Sequence, residues 1–281
     1  MRPANVATAL SDVLAGYAIA QLGNHAALPW LLASTACLYA GGVVLNDFFD
    51  REVDRVERPE RPIPSGRVAP QSAAIFGALL LAIGIGTAFA ATRTAGVVAA
   101  AIAGCVLLYD AWGKRQSALG PVNMGLCRGL NLLLGAAAVP EVLGSGWFVA
   151  AFPILYITSV TALSRGEVHG GRRQVAAFAL ISLGLVLIGL LGLALRRGTG
   201  LGTWAASALI ALLAWRVVPA FRAAYVSPGP ATIRHAIKTG VLSLAILDAA
   251  IGAVYAGALY SLVILATALA AGLLARTFAV T

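Results

Sequence analysis

Charge is scarce in this chain. Only 11% of its 281 residues are Asp, Glu, Lys or Arg, and 60% are hydrophobic. With a mean hydropathy of +0.88, that composition excludes an ordinary soluble globular domain. Cysteine is scarcer still. Cys37, Cys105 and Cys127 sit in apolar runs without C-x-x-C spacing, which excludes a disulfide framework and reads as small buried hydrophobes. Of the three histidines, His25 and His235 have no partner at metal-ligand spacing. Linkers and low-complexity tails are missing as well, so one helical domain over residues 1–281 is expected.

What is present is a series of apolar runs near 5–23, 27–46, 72–92, 95–111, 122–140, 147–165, 174–195, 201–218, 236–258 and 260–277. Each is about long enough to cross roughly 30 Å of hydrocarbon. They predict an all-α, polytopic membrane protein with nine or ten transmembrane helices. Ala18-Ile19-Ala20 looks like a leader-peptide cleavage site, but Asp12 interrupts the apolar stretch before it, so a retained first helix is expected. The net charge of +9 does not read as nucleic-acid binding, because of how the basic residues are distributed. They gather at Arg2, at Arg51 to Arg67, at Lys114 and Arg115, and at Arg128, Arg165, Arg172, Arg173, Arg216, Arg222, Arg234 and Lys238, all on one side of the predicted topology. The other side has Arg93, Arg196 and Arg197, with Arg276 depending on where the last helix ends. By the positive-inside rule the N-terminus and the basic loops are cytoplasmic, with attraction to anionic lipid headgroups as a by-product. A bacterial inner (plasma) membrane is the expected location.

The exception to the scarcity of charge is NDFFDREVDRVERPERPIPSGR, Asn46 to Arg67. It holds Asp47, Asp50, Glu52, Asp54, Glu57 and Glu60 together with Arg51, Arg55, Arg58, Arg61 and Arg67. If the helix of the second run continues two turns past Asp47, then Asp47, Asp50 and Asp54 fall within roughly a 60° arc at about 100° per residue. Like charges that close need a cation among them. Mg²⁺ is commonly held by one or two carboxylates plus substrate phosphates, so a carboxylate face beside arginines reads as a metal–diphosphate site. Spacing alone leaves a solvated interhelical loop equally open.

The pattern N-D-x-x-D-x-x-x-D from Asn46, followed by Arg61-Pro62 and Ser65-Gly66, resembles the first aspartate-rich motif of the UbiA superfamily of intramembrane prenyltransferases, with its trailing R-P-x-x-S-G. That resemblance implies helices arranged around a central cavity and transfer of an isoprenoid chain from a prenyl diphosphate to an aromatic or lipid-like acceptor. Asp47, Asp50 and Asp54 would bind Mg²⁺, and Asn46, Arg58, Arg61 and Arg67 are the candidates for diphosphate contact. Pro59, Pro62 and Pro64 stop the helix, so the Arg61–Arg67 segment is expected to fold back over the cavity mouth. Tyr109, Lys114 and Arg115 stand at the offset of the Y-x-x-x-x-K-R variant that UbiA-like enzymes carry in the next such loop, where a lysine reaches the diphosphate. A plain basic cytoplasmic loop is the alternative.

Asn123, Arg128 and Asn131 interrupt an apolar helix, as Asp12 and Asp248 interrupt theirs. Such groups line a cavity or pin helices together, and Asp12 pairing with an arginine is one of the two readings. Arg128 and Asn123 are taken as diphosphate candidates. The family's second motif, D-x-x-x-D, is altered in RGEVHGGRRQ. Only Glu167 is acidic, Gly171 stands four residues on, and His169 and Arg165 are the other second-site candidates. A second metal would be weakly held there, or replaced by Arg165, Arg172 and Arg173 on phosphate. This departure, together with a Thr161–Glu167 run similar to a divergent branch linked to secondary-metabolite export gene clusters, keeps open a UbiA-like protein that binds or helps export an isoprenoid or aromatic metabolite. A CDP-alcohol phosphotransferase is disfavoured because its D-G-x-x-A-R core is absent.

Overall fold

The fold was obtained as a computed structural model, which describes residues 3–168, 170–198 and 200–277. In chain order its helices are α1 (Pro3–Ile19), α2 (Leu28–Phe49), α3 (Arg51–Glu57), α4 (Pro70–Ala91), α5 (Arg93–Ala111), α6 (Leu119–Ala136), α7 (Leu143–Gly146), α8 (Ala151–Ser164), α9 (Arg173–Arg196), α10 (Leu201–Val226), α11 (Pro230–Ala256) and α12 (Ala258–Thr277), with no strand among the described residues. Among the described residues seven segments are long and apolar enough to cross a membrane: α2, α4, α5, the Pro140–Ser164 stretch that includes α7 and α8, α9, α10 and α11. Shorter apolar segments lie in α1 and α12, and α6 carries Asn123, Arg128 and Asn131. The chain is therefore an integral membrane protein, whose described residues include seven full-length spans beside the shorter helices α1, α6 and α12.

Local chemistry sets the helix ends. Thr92 alone separates α4 from α5. Its extended backbone breaks the helix, and its hydroxyl accepts from the Ala95 amide at 3.0 Å while donating to the Ala137 carbonyl at 2.9 Å. It thereby caps α5 and ties the hairpin to the end of α6. Gly257, at φ +88°, makes the corresponding break between α11 and α12, a left-handed conformation that a side chain resists.

Lipid tails give helices no hydrophobic reason to associate, so close backbone approach and buried polar contacts hold such a bundle together. α1 lies among α2, α6, α11 and α12. Together α1 and α6 form the wall shared by two apolar clusters: Leu14, Ile19 and Leu132 face one, and Val13, Tyr17 and Leu134 face the other. Their crossing requires glycine. A Cβ on Gly16 would lie 1.8 Å from the Leu132 carbonyl oxygen, and one on Gly135 would lie 2.0 Å from that of Val13. Large apolar residues such as Ile75, Leu79, Ile181 and Ile188 point outward, as a lipid-facing surface demands.

Candidate diphosphate and metal site

The acidic stretch does not continue as one helix. α2 stops at Phe49 because Asp50 leaves helical geometry (φ −88°, ψ 0°), and α3 resumes at Arg51. The amide-to-carbonyl bonds from Asp50 to Asn46 (2.9 Å) and from Asp54 to Asp50 (2.8 Å) survive the kink, so the three aspartates stay in neighbouring turns. Arg58 ends α3, and the proline-rich segment then returns Arg61 to the acids. Arg61 Nη1 lies 2.6 Å from Asp54 Oδ2 and 3.2 Å from Asp47 Oδ1. Asp54 is buried, which makes its pairing with a cation obligatory.

Lys114 arrives from the loop after α5. Its Nζ lies 2.6 Å from Asp50 Oδ1 and 3.3 Å from Asn46 Oδ1, and Asn46 donates in turn to Asp50 Oδ2 at 3.1 Å. Arg165 holds this loop in place, since its guanidinium donates to the Lys114 carbonyl at 3.1 Å and to the Gln116 carbonyl. Asn46, Asp47, Asp50, Asp54, Arg61 and Lys114, which the sequence pointed to in two separate loops, thus converge.

A cavity of about 220 Å³ opens beside them. Asn46, Asp47, Tyr109 and Asp110 line one end. Leu38, Val43, Ile102, Val106 and Met124 supply apolar wall, and Thr35, Arg128 and Asn131 lie deeper. This polar rim over a greasy interior suits a diphosphate with an isoprenoid tail.

Other expected residues lie elsewhere. Arg58 is exposed and in no ion pair among the described residues. Arg67 turns back onto the Glu60 carbonyl and the Ser65 hydroxyl. Asn123 does not line the cavity; it is buried behind the Lys114 loop, near Gly113. Arg128 lines the cavity but is already engaged, with Nε 3.0 Å from Asp12 Oδ2 and Nη2 donating to the Thr8 carbonyl at 2.7 Å. Asn131 donates to Asp12 Oδ2 at 2.9 Å and accepts from Thr35 at 2.7 Å. Asp248 accepts from Ser11. These buried polar groups of α1, α2, α6 and α11 pin the bundle, and Arg128 is a pin as much as a cavity wall. Glu167 has its carbonyl, not its carboxylate, bonded to Arg234, at 3.3 Å. His169 lies outside the described residues.

Among the described residues no three His, Cys, Asp or Glu side chains form a ready metal cluster. Each of the three aspartates instead rests against Arg61 or Lys114. The donor set still fits Mg²⁺: the carboxylates of Asp47, Asp50 and Asp54 and the amide oxygen of Asn46 are hard oxygens, and this ion takes few protein ligands when phosphate supplies the rest. Asp110 was missed in the sequence. It is only 3% exposed, yet it lines the cavity.

Residues 9–233 match the UbiA prenyltransferase family. A digeranylgeranylglyceryl phosphate synthase of Methanopyrus kandleri is 39% identical over 154 residues, 54% of this chain and 56% of that protein. The chain spans about half the length of the curated relatives it matches. The solved structure of a UbiA homolog from Aeropyrum pernix K1 shares the fold with a TM-score of 0.74 at 18% identity, over 88% of this chain and 96% of that one. A UbiA homolog from Archaeoglobus fulgidus bound to DMAPP and Mg²⁺ does so with a TM-score of 0.64 at 16% identity, over 89% and 96%. With the family matched over most of its length, the same fold, and the acidic motif folded against its own arginine and lysine, this chain belongs to the UbiA prenyltransferase family.

Proposed function

We propose that residues 1–281 act as one prenyltransferase domain, moving an isoprenoid chain from a prenyl diphosphate to an aromatic or lipid-like acceptor. The observation that carries this reading is the pairing of Asp47 and Asp54 with Arg61, and of Asp50 with Lys114, at the rim of an apolar cavity. The name of the Methanopyrus relative favours a lipid-like acceptor. The basic loops share the end of the bundle that holds this site, which supports a cytoplasmic active-site rim and N-terminus.

Breaking the donor's carbon–oxygen bond builds negative charge on the diphosphate and positive charge on the allylic carbon. Mg²⁺ held by Asp47, Asp50 and Asp54 would supply Lewis-acid neutralisation of the leaving group. Arg61 and Lys114 keep the carboxylates compensated while the site is empty of substrate. When phosphate enters, both cations are within reach to exchange a carboxylate partner for a phosphate oxygen, Arg61 with a planar fork of donors and Lys114 as a point charge. Asn46 orients Asp50, and Arg165 fixes the loop from which Lys114 reaches in. Leu38, Ile102 and Val106 keep water from the allylic cation.

The reduction of the second acidic motif to Glu167 favours a second reading, a UbiA-like membrane protein that binds or helps export an isoprenoid or aromatic metabolite. One experiment separates the two. Purified protein in detergent with Mg²⁺ is given labelled geranyl, farnesyl and geranylgeranyl diphosphates and a panel of aromatic and glycerophosphate acceptors. Labelled product supports the transferase. Donor binding with no product on any acceptor supports the carrier.

A further inference from the structure

Arg196 and Arg197 stand at the end of the bundle opposite the acidic rim, where α9 leaves its membrane span. Cations are sparse at this end, as the positive-inside rule expects, so two adjacent arginines call for an anion nearby. The chain supplies none. Of its 11 Asp and Glu only Glu141 belongs to that end, in the turn before α7, and it is exposed and in no ion pair among the described residues. Arginines in the last turn of a helix can satisfy its free carbonyls. Among the described residues neither of these donates to a backbone carbonyl or joins an ion pair. Both are exposed and line a cavity of about 530 Å³, walled by the ends of α1, α9 and α11, by α7 and by the start of α8. Its size is that of a small-molecule site. Gln21, Ser145 and Tyr255 are its other polar side chains, and Phe148, Phe152 and Leu193 form apolar wall. The Arg197 guanidinium lies 4.2 Å from the centre of the Tyr255 ring. Stacking uses the face of that group and leaves its N–H edge free. At Gly192 an added Cβ would meet open space. Trp147 and Trp204, both exposed, mark headgroup depth at this end.

We propose that this cavity binds the headgroup of an anionic membrane lipid, with Arg196 and Arg197 on its phosphate and an acyl chain leaving along Phe148, Phe152 and Leu193. Two cations with no acid beside them favour a net anion and repel the ammonium of a zwitterionic headgroup. Guanidinium forks match phosphate oxygens two at a time. A lipid, unlike a free anion, also uses the apolar wall, and Ile188 and Leu195 extend exposed apolar surface on the adjoining face of α9. The cavity shares no lining residue with the one at the acidic rim, so the inference stands apart from the transferase reading.

The test titrates the purified full chain in detergent with phosphatidylglycerol, with phosphatidylcholine and with inorganic phosphate, and counts bound lipids by native mass spectrometry. A first phosphatidylglycerol is expected to bind about tenfold or more tighter than phosphatidylcholine, and inorganic phosphate should not displace it. Arg196→Gln combined with Arg197→Gln should weaken that first binding by about tenfold or more, because charged donors to the phosphate are lost. Gly192→Phe, which fills the open space and leaves the charge unchanged, should weaken it as well. Arg93→Gln removes an exposed cation from the same end of the bundle but outside the cavity, and should change it by less than about twofold. Thermal unfolding without added lipid reports that each variant is folded. Equal binding of the two lipids, or equal weakening by Arg93→Gln, would overturn the inference and reduce these arginines to general headgroup contacts. Retention of the first lipid by both cavity variants would overturn it too. Displacement by inorganic phosphate would overturn the lipid as occupant in favour of a free anion.

Discussion

A single nitrogen, Nη1 of Arg61, serves two aspartates, lying 2.6 Å from Asp54 and 3.2 Å from Asp47. The like charges that the i, i+7 spacing brings together are thus compensated from within the chain, by a residue that the proline-rich segment folds back. Arg61→Gln removes both that bridge and a phosphate contact. A charged hydrogen bond is worth about 1.5–3 kcal/mol, so the donor KM should rise about 10- to 100-fold. Arg61→Lys should recover only part, because a point charge lacks the fork. Donor titration at fixed acceptor checks both.

Lys114 faces the same carboxylates from the other side. Lys114→Met should lower kcat/KM by about 100- to 1000-fold, the usual range for one lost donor to a developing anion. Arg165→Ala, which frees the loop carrying Lys114, should produce a smaller loss that falls mainly on kcat. Steady-state kinetics of the two variants side by side reads the difference.

Arg58 gives the opposite expectation. It shares the motif but is exposed and unpaired among the described residues, and surface charges of this kind contribute about 0–1 kcal/mol. Arg58→Ala should leave kcat/KM within about threefold. A larger loss would mean that donor binding draws Arg58 onto the phosphate.

How much of this was legible in the sequence follows from the physics of each residue. The Asn46–Arg67 cluster stood out because eleven charges are packed into one short stretch of an apolar chain, and Lys114 followed from its offset after Tyr109. The kink at Asp50 had no proline or glycine to announce it. For α6 the sequence showed that Asn123, Arg128 and Asn131 were polar but not which neighbour each would meet. Arg128 found Asp12, a pairing left open as one of two, and Asn123 turned away from the cavity. Asp110 carried no reading of its own in the sequence. Its burial comes from the way α5 meets α2 and α6, and its only sequence signal was its place beside Tyr109.

The Asp12–Arg128 pair, 3.0 Å apart, should dominate the stability of the α1–α6 contact. Asp12→Ala leaves a buried arginine without its anion and should cost about 3–5 kcal/mol. Replacing both, as Asp12→Ala with Arg128→Met, should recover most of the loss, because neither charge is then stranded. Denaturant unfolding in detergent compares the two. Equal destabilisation by the single and double variants would show that Arg128 is held by its bonds to carbonyls and not by Asp12.

The most direct test of the central claim follows diphosphate release from a labelled prenyl donor with Mg²⁺, with a chelator, and with Asp50→Asn. Release that needs Mg²⁺ and falls about 100-fold or more in the variant is the predicted result, since the acidic rim is where the leaving group is neutralised. Release that is insensitive to the chelator, or undiminished in Asp50→Asn, would contradict the assignment of Asp47, Asp50 and Asp54 as the diphosphate and metal site.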